Sequence, residues 1–416
     1  MRSTSLPSTS PVERTQRTKR AVAVVFSING LALGSLLSRT PAVKSGLDLS
    51  ASSLGLLLVC MSIGAMAALP ASGAIVHRLG AARAVLGSAA TETAGLLLSS
   101  LGMGLGSVTV TGLGLLVLGF GNSLWDVAMN VEAAGVERRL DRTVMSRFHA
   151  GWSLGSVLGA GLGALCAASG VGVTAQLVAT ATLIMPLVAF SVRSFSPPRR
   201  SVADSDCARP GSLLLSAWRD RRTLSVGLMV LAFAFTEGAA NDWLALAFVE
   251  GLGSSETVGA VGFGVFVVAM TVSRLVGGAV VDRWGRVGVL RGTAILAASG
   301  VTLVILAPAP PWAFGGAFLW GLGAALGFPT GMSAAADDST RAALHVSVVG
   351  SIGYTAFLAG PPLVGFLGDA VGIRQALYVV LAALVLALST AASARPVTDP
   401  GQSDVWPSTR LAKESA

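Results

Sequence analysis

Long apolar runs, separated by short polar connectors, dominate this chain of 416 residues. A helical run of about 20 residues, rising ~1.5 Å per residue, crosses the ~30 Å hydrocarbon core of a bilayer. Charged residues make up only 12% of the chain, whereas soluble domains contain about 25%. The pattern therefore predicts an all-α membrane protein with twelve transmembrane helices. The predicted spans fall at about 21–43, 52–76, 84–101, 108–131, 144–169, 173–194, 223–249, 257–281, 288–307, 311–335, 343–368 and 372–392.

A polar segment rich in proline and charged residues, at 195–222, separates six of these runs from the other six. We therefore expect two six-helix bundles joined by a linker. The predicted divisions are an N-terminal tail (1–20), a first bundle (21–194), the linker (195–222), a second bundle (223–392) and a C-terminal tail (393–416).

The positions of lysine and arginine predict the orientation in the membrane. If both tails and the even-numbered connectors are cytoplasmic, 25 of the 29 Lys and Arg residues lie on that side, Arg274 lies within a span, and Arg39, Lys44 and Arg374 lie outside. This asymmetry predicts that both termini are cytoplasmic. We expect a multi-pass protein of the cell inner membrane that is a monomer in the lipid bilayer. The basic residues are scattered over short loops, so the net charge of +8 does not indicate nucleic-acid binding.

Ionisable and amide side chains occur inside or beside the fourth and fifth runs, at Asp126, Asn130 and His149. As a helical hairpin, the two runs place Asp126 and His149 at similar depths, so we expect these side chains to face each other. Intramembrane ionisable groups are functional candidates by default. A carboxylate in a low-dielectric bundle can gain and lose a proton in the physiological range.

The seventh run contributes a second polar cluster, in which Glu237 and Asn241 share one helical face. A site between the two bundles, near the midplane, is the general arrangement in secondary transporters. We therefore predict proton coupling by Asp126, Glu237 and His149, and solute binding by Asn29, Asn130, Trp152, Asn241, Asp242, Trp243 and Tyr354.

These residues also have structural interpretations. Asp126 and His149 can be a packing pair, and Asp242 and Trp243 can be an external cap and an interfacial aromatic. For Arg274, capping of helix ends near Asp282 is favoured over binding of an acidic solute.

The sequence contains no P-loop, HExxH or GxSxG motif, and its three histidines and three cysteines lack metal-ligand spacing. We therefore predict no enzymatic activity, no metal and no cofactor. An ion gradient is the expected source of energy, so the interpretation is a secondary transporter that moves a small solute and protons. A solute channel and a membrane scaffold are the competing classes.

An internal repeat supports the division into two bundles. GAIVHRLGAAR at 73–83 follows the second run, and GGAVVDRWGR at 277–286 follows the eighth, with an offset of 205 positions. The predicted gating residues are Gly73, His77, Arg78, Gly80 and Arg83 in the first copy and Gly278, Asp282, Arg283, Gly285 and Arg286 in the second.

At these residues the chain resembles the major facilitator superfamily, whose signature at this connector is G-x-x-x-D-R-x-G-R. The resemblance implies two six-helix bundles, alternating access, and a motif that holds cytoplasmic helix ends together in the outward-open state. The second copy matches the signature, whereas the first has His77 in place of the acid and Ala81 in place of the last arginine.

The stretch at 121–163 is similar to the YbjJ-type branch of that superfamily, relatives of the fucose–proton symporters. This similarity implies that Asp126 is a proton-coupling or substrate-binding carboxylate with Asn130 beside it, and it favours uptake of a sugar-like solute. The symporters' acid in helix one has no counterpart here, where the polar group is Asn29. Proton-driven efflux of a small metabolite or drug is therefore the alternative.

Overall fold

The computed structural model describes residues 11–140, 144–195, 218–337 and 342–396, and within these ranges the regular structure is helical, without strands. The first half of the predicted N-terminal tail and most of the predicted linker and C-terminal tail fall outside the described residues. The helices are α1 Pro11–Leu37, α2 Thr40–Gly46, α3 Ala51–Leu79, α4 Ala81–Gly104, α5 Val108–Leu140, α6 Met145–Ala168, α7 Val173–Val192, α8 Arg221–Leu252, α9 Glu256–Leu306, α10 Pro310–Ala324, α11 Gly327–Ala335, α12 Ala342–Val371, α13 Ile373–Ala376 and α14 Tyr378–Thr390, followed by a 3₁₀ turn Ala391–Ala394.

Eleven helices of the described chain are long and apolar enough to cross a membrane. One of them, α9, has 51 residues and as a single straight helix would be ~77 Å long, more than twice the ~30 Å hydrocarbon thickness. Gly285 interrupts it with φ 71° and ψ 157°, so α9 supplies two spans. The fold is an all-α membrane fold of two six-helix bundles, as predicted.

The internal repeat is visible in the backbone. Gly80, which separates α3 from α4, has φ 77° and ψ 158°, nearly the same angles as Gly285 at the equivalent position in α9. Side chains other than hydrogen rarely allow such a positive φ. Glycine at both positions therefore makes the same sharp reversal in each bundle.

The first span differs from its prediction at both ends. The helix begins at Pro11 and ends at Leu37, and the short helix α2 begins at Thr40. Pro41 lies in the first turn of α2, where its missing N–H is tolerated, whereas in the interior of α1 it would break the hydrogen-bond ladder. The apolar run therefore folds as two helices, because proline ends the first one.

A glycine ladder on α6 packs against α1. A Cβ atom on Gly155 would collide with the carbonyl oxygen of Ser27, and one on Gly159 would collide with that of Leu31. Small residues at such a crossing let two backbones approach closely in lipid. These glycines therefore let α6 lie close against α1.

We expect Gly155→Leu to destabilise the protein strongly, because the new side chain has no room between α6 and α1. Overpacking typically costs about 1–3 kcal/mol and sometimes more. Gly161→Leu on the same helix is the matched control, since nothing lies within 4 Å of its Cβ position. Thermal unfolding of the purified variants should show a large loss for Gly155→Leu and little for Gly161→Leu; equal losses would contradict the packing argument.

The start of α1 and the end of the chain's last span lie on one face of the molecule, here called the terminus face. Thr18 donates a hydrogen bond to the carbonyl of Ser194 at 2.6 Å, and Arg222 donates to the carbonyl of Arg395 at 2.9 Å. The opposite face, here called the far face, contains α2 and the connectors around Gly253 and Gly372.

The two bundles meet mainly through α3 against α12 and α6 against α9. On the far face, the carboxylate of Asp369 accepts hydrogen bonds from the backbone N–H groups of Ala51 and Ser52, at 2.7 and 3.0 Å. Arg39 forms an ion pair with Glu256 at 3.2 Å. These links hold the bundles together on the far face.

Candidate functional site

A cavity of about 140 Å³ lies between the bundles, where α1, α3 and α5 face α12, and it is continuous with open solvent. This volume is smaller than the ~300–1,000 Å³ typical of small-molecule sites. The wall is mostly apolar, with a few polar side chains. Those used below are Met61, Met66, Asn122, Ser123, Tyr354 and Phe357.

A polar stripe on α5 extends from this cavity toward the terminus face. It consists of Asn122, Asp126 and Asn130, which are four residues apart and therefore share one face of the helix. The Nδ2 of Asn130 donates hydrogen bonds to the Oδ1 of Asp126 at 3.1 Å and to the carbonyl oxygen of Asp126 at 2.8 Å.

Asp126 faces the second bundle. Its side chain is exposed although it lies several turns inside α5, and it is within electrostatic range of Tyr354 on α12. The carboxylate is therefore at the edge of the space between the bundles, with an amide as its hydrogen-bond partner.

Asp126 and His149 form no ion pair with each other among the described residues. The reason is that α5 and α6 are not close neighbours: α5 packs against α3 and α4, whereas α6 packs against α1 and α9. His149 is exposed, its ring contacts that of Phe26 at a centroid distance of 5.3 Å, and it is within electrostatic range of Arg274.

Arg274 on α9 pairs with Glu237 on α8. One guanidinium nitrogen lies 3.0 and 3.2 Å from the two carboxylate oxygens, and the exposed fractions are 27% for Arg274 and 16% for Glu237. The favoured prediction that Arg274 caps helix ends near Asp282 is wrong, because the side chain reaches toward α8 instead. Asp282 is exposed.

The other predicted residues of α8 differ in accessibility. Asn241 is half-buried one turn beyond Glu237, whereas Asp242 is 9% exposed and Trp243 is completely buried. Trp243 therefore does not line the cavity in this conformation.

Asn29 and Trp152 belong to a buried network rather than to the cavity wall. The Nδ2 of Asn29 donates to the Oε2 of Glu92 at 3.3 Å and to the Oδ1 of Asn122 at 3.0 Å, and the Nε1 of Trp152 donates to the Oδ1 of Asn29 at 2.9 Å. The sequence analysis missed Glu92 and Asn122. The available signals were an acid within the third apolar run and an amide one turn before Asp126.

The second copy of the repeated motif forms an ion-pair cluster on the terminus face. Arg286 donates to both carboxylate oxygens of Asp337, at 2.7 and 2.9 Å, and Arg222 donates to Asp337 at 2.9 Å. Asp282 and Arg283 are exposed. Asp337 was not predicted from the sequence. It joins the start of α8 and the start of the second half of α9 to the end of α11.

The first copy is built differently. His77, Arg78 and Arg83 are exposed, and Ala81 stands at the position of Arg286. The position equivalent to Asp337, at the same offset of 205, is Glu132, which pairs with Arg139 of its own helix at 3.1 Å. The repeated sequence therefore has a shared turn but different ion pairs.

The family model described as the Major Facilitator Superfamily matches residues 22–344 and 226–414. The chain belongs to this superfamily. It is 32% identical over 378 residues to the uncharacterized transporter y4wD of Sinorhizobium fredii, covering 89% of this chain and 97% of the relative. An uncharacterized MFS-type transporter of Yersinia pestis is 31% identical over 376 residues, covering 90% of this chain and 94% of that protein.

Solved structures with the same fold include two transporters. The nucleoside transporter NupG aligns with a TM-score of 0.69 and 15% identity, over 91% of this chain and 98% of NupG. The E. coli fucose:proton symporter FucP aligns with a TM-score of 0.60 and 16% identity, over 91% and 98%. This chain is thus a secondary transporter for a small solute and not an enzyme, and it spans the membrane several times.

Proposed function

We propose that this chain is a proton-coupled carrier that moves a small solute by alternating access, and that Asp126 binds the coupling proton. The observation that supports this most directly is the position of Asp126, exposed between the bundles and within electrostatic range of Tyr354 in the opposite bundle. A group in this place responds both to the solute and to the separation of the bundles.

The three predicted coupling residues have different surroundings. Glu237 has Arg274 as a counterion, whereas the described residues provide Asp126 with an amide and no ion pair. A carboxylate without a counterion is costly inside a membrane-spanning bundle, and a bound proton removes its charge. We therefore assign the proton to Asp126, and assign polar groups of the solute to Glu237, Arg274 and His149.

The cavity wall supports a solute with one apolar face and a few hydrogen-bonding groups. Met61, Met66 and Phe357 supply apolar surface, while Asn122, Ser123 and Tyr354 supply polar atoms. A sugar ring stacked on Tyr354 fits this description, and the similarity to the fucose symporter supports uptake of such a solute. A small amphiphile moved outward is the alternative, supported by the apolar share of the wall.

The proposed cycle starts from the conformation described here, in which bonds between the bundles close the far face and Asp126 and His149 are exposed. Rocking of the bundles would expose the same site on the other side. We also propose that the terminus face is cytoplasmic in the cell inner membrane, which the distribution of lysine and arginine supports.

Asp126→Asn should abolish accumulation driven by a pH gradient, because the amide cannot carry the proton, while exchange of labelled solute across the membrane continues. The solute is first found by thermal-shift screening of sugars, organic acids and amphiphiles at two pH values, and then followed in proteoliposomes. Asp48→Asn, in an exposed loop, is the matched control. Normal gradient-driven accumulation by Asp126→Asn would overturn the assignment.

A further inference from the structure

Glu92 is a buried carboxylate that the proposed transport site does not use. It is 1% exposed and lies ~17 Å from the first residue of α4, near the middle of the span. Its Oε2 accepts a hydrogen bond from Asn29 at 3.3 Å, whereas its Oε1 is buried and has no hydrogen-bond partner.

No cationic side chain compensates this carboxylate among the described residues. The spans at 21–37, 51–76 and 173–192 contain no Lys, Arg, His, Asp or Glu. The Cys60 thiol of α3 packs near Gly112, ~14 Å along α5 from the closest approach to Glu92 at Gly121. The nearest ionisable side chain of α5 is Asp126, one turn beyond Asn122, and His149 of α6 packs against Phe26.

The hydrogen bonds of Asn29 connect Glu92 to the cavity. Both amide hydrogens of Asn29 are used, one on Glu92 and one on Asn122, and its oxygen accepts from Trp152. Asn122 also lines the cavity between the bundles. A change of charge at Glu92 therefore alters the side-chain orientation that Asn29 prefers. The hydrogen bonds of Asn29 with Asn122 and Trp152 then change as well.

We propose that Glu92 is a second proton-binding residue, inside the first bundle and coupled to the solute cavity through Asn29 and Asn122. This inference rests on the proposed function. A hydronium ion of the cavity supplies the proton: an O–H bond forms at the unpartnered Oε1, one O–H bond of the hydronium breaks, and a water molecule remains. The carboxylate becomes neutral, and its new O–H can donate a hydrogen bond.

Because linkage is reciprocal, a solute that binds at Asn122 changes the proton affinity of Glu92 by the same factor by which the proton changes the solute's affinity. Glu92 and Asp126 bind their protons at different places in the fold. Asp126 faces the opening between the bundles, whereas Glu92 acts from within one bundle.

The test is attenuated-total-reflection infrared spectroscopy of the purified full-length protein in lipid, titrated with protons alone. We expect a reversible carbonyl-stretch band of a protonated carboxylic acid that Glu92→Gln removes and Asp126→Asn leaves in place. Glu92→Asp should keep a shifted band. Identical pH-difference spectra for wild type and Glu92→Gln would overturn the inference. A Glu92 carboxyl group that stays protonated at every pH would also give this result, and it would overturn the inference as well.

A second variant keeps the test decisive if Glu92→Gln fails to fold. Asn122→Ala frees the amide hydrogen that Asn29 donates to Asn122, so the Glu92 band should shift in frequency; an unchanged band would contradict the coupling. No solute is needed for these measurements. Failure of gradient-driven transport therefore remains distinguishable from failure of proton binding at Glu92.

Discussion

Glu237→Gln is expected to destabilise the second bundle and to stop transport. The substitution leaves the Arg274 guanidinium, 27% exposed, without its carboxylate partner. Breaking a buried ion pair costs about 3–5 kcal/mol, and an exposed one contributes about 0–1 kcal/mol. This half-buried pair should therefore cost roughly 2–4 kcal/mol, because the charge that remains is only partly exposed to solvent.

A double-mutant cycle separates the ion pair from the loss of either side chain. Glu237→Gln and Arg274→Gln should each lower the unfolding temperature of the purified protein, whereas the double variant, which has no unpaired charge, should recover much of the loss. Transport should remain absent in all three, since each variant removes at least one of the two charged groups assigned to the solute. Additive losses of stability in the double variant would show that the two side chains do not interact.

The spans were predictable because their signal is local. Apolar runs, glycine at positions 80 and 285, and the ladder around Gly155 each depend on residues close in sequence, and the structure shows them where the pattern placed them. Pro41 is also a local signal, because proline inside a helix breaks the hydrogen-bond ladder. It indicates that the first span ends before this residue, as it does at Leu37. The predicted boundaries of the linker and tails stay predictions.

The contacts between helices were not predictable in the same way. Asp126 and His149 are close in sequence, but the fold places α1 and α9 against α6, and α3 and α4 against α5. Arg274 was assigned to its own connector because the sequence does not show that α8 lies beside α9. Which helix faces which is decided by packing over the whole bundle, and one chain's hydropathy carries little of that information.

Glu92 illustrates the same limit. Glu92 is the single acid of the third apolar run, and it was not among the predicted site residues because nothing near it in sequence suggested a partner. Its partners come from α1 and, through Asn29, from α5 and α6. Side chains of four helices thus build a network that only the tertiary structure shows.

Loss of the far-face links is expected to shift the protein toward the conformation open on that face. The Glu256 carboxylate pairs with Arg39 of the other bundle, and the Asp369 carboxylate accepts from the first two amides of α3, where the helix dipole favours a negative charge. Both bonds join opposite bundles, so they exist only while the far face is closed. Glu256→Gln combined with Asp369→Asn removes both charges with little change in shape.

The size of the shift follows from the exposure of the two acids. Asp369 is exposed and the Glu256 side chain is 38% exposed, and such contacts contribute about 0.3–1 kcal/mol each. Together they should change the ratio of far-face-closed to far-face-open molecules by about 3- to 30-fold, because a factor of ten corresponds to ~1.4 kcal/mol. High salt should reduce the difference between wild type and the variant, since it screens exposed charges.

Spin labels at Leu105 and Leu306 report this equilibrium. Both side chains are highly exposed, and they lie on far-face connectors of opposite bundles. After replacement of the native cysteines, the double variant should populate longer distances, and Asp48→Asn in the same background should not. Because the links stabilise only one of the two conformations, an unchanged distance distribution would mean that the remaining contacts, namely the Lys44–Glu250 ion pair and the packing of α3 on α12 and of α6 on α9, hold the far face closed without them.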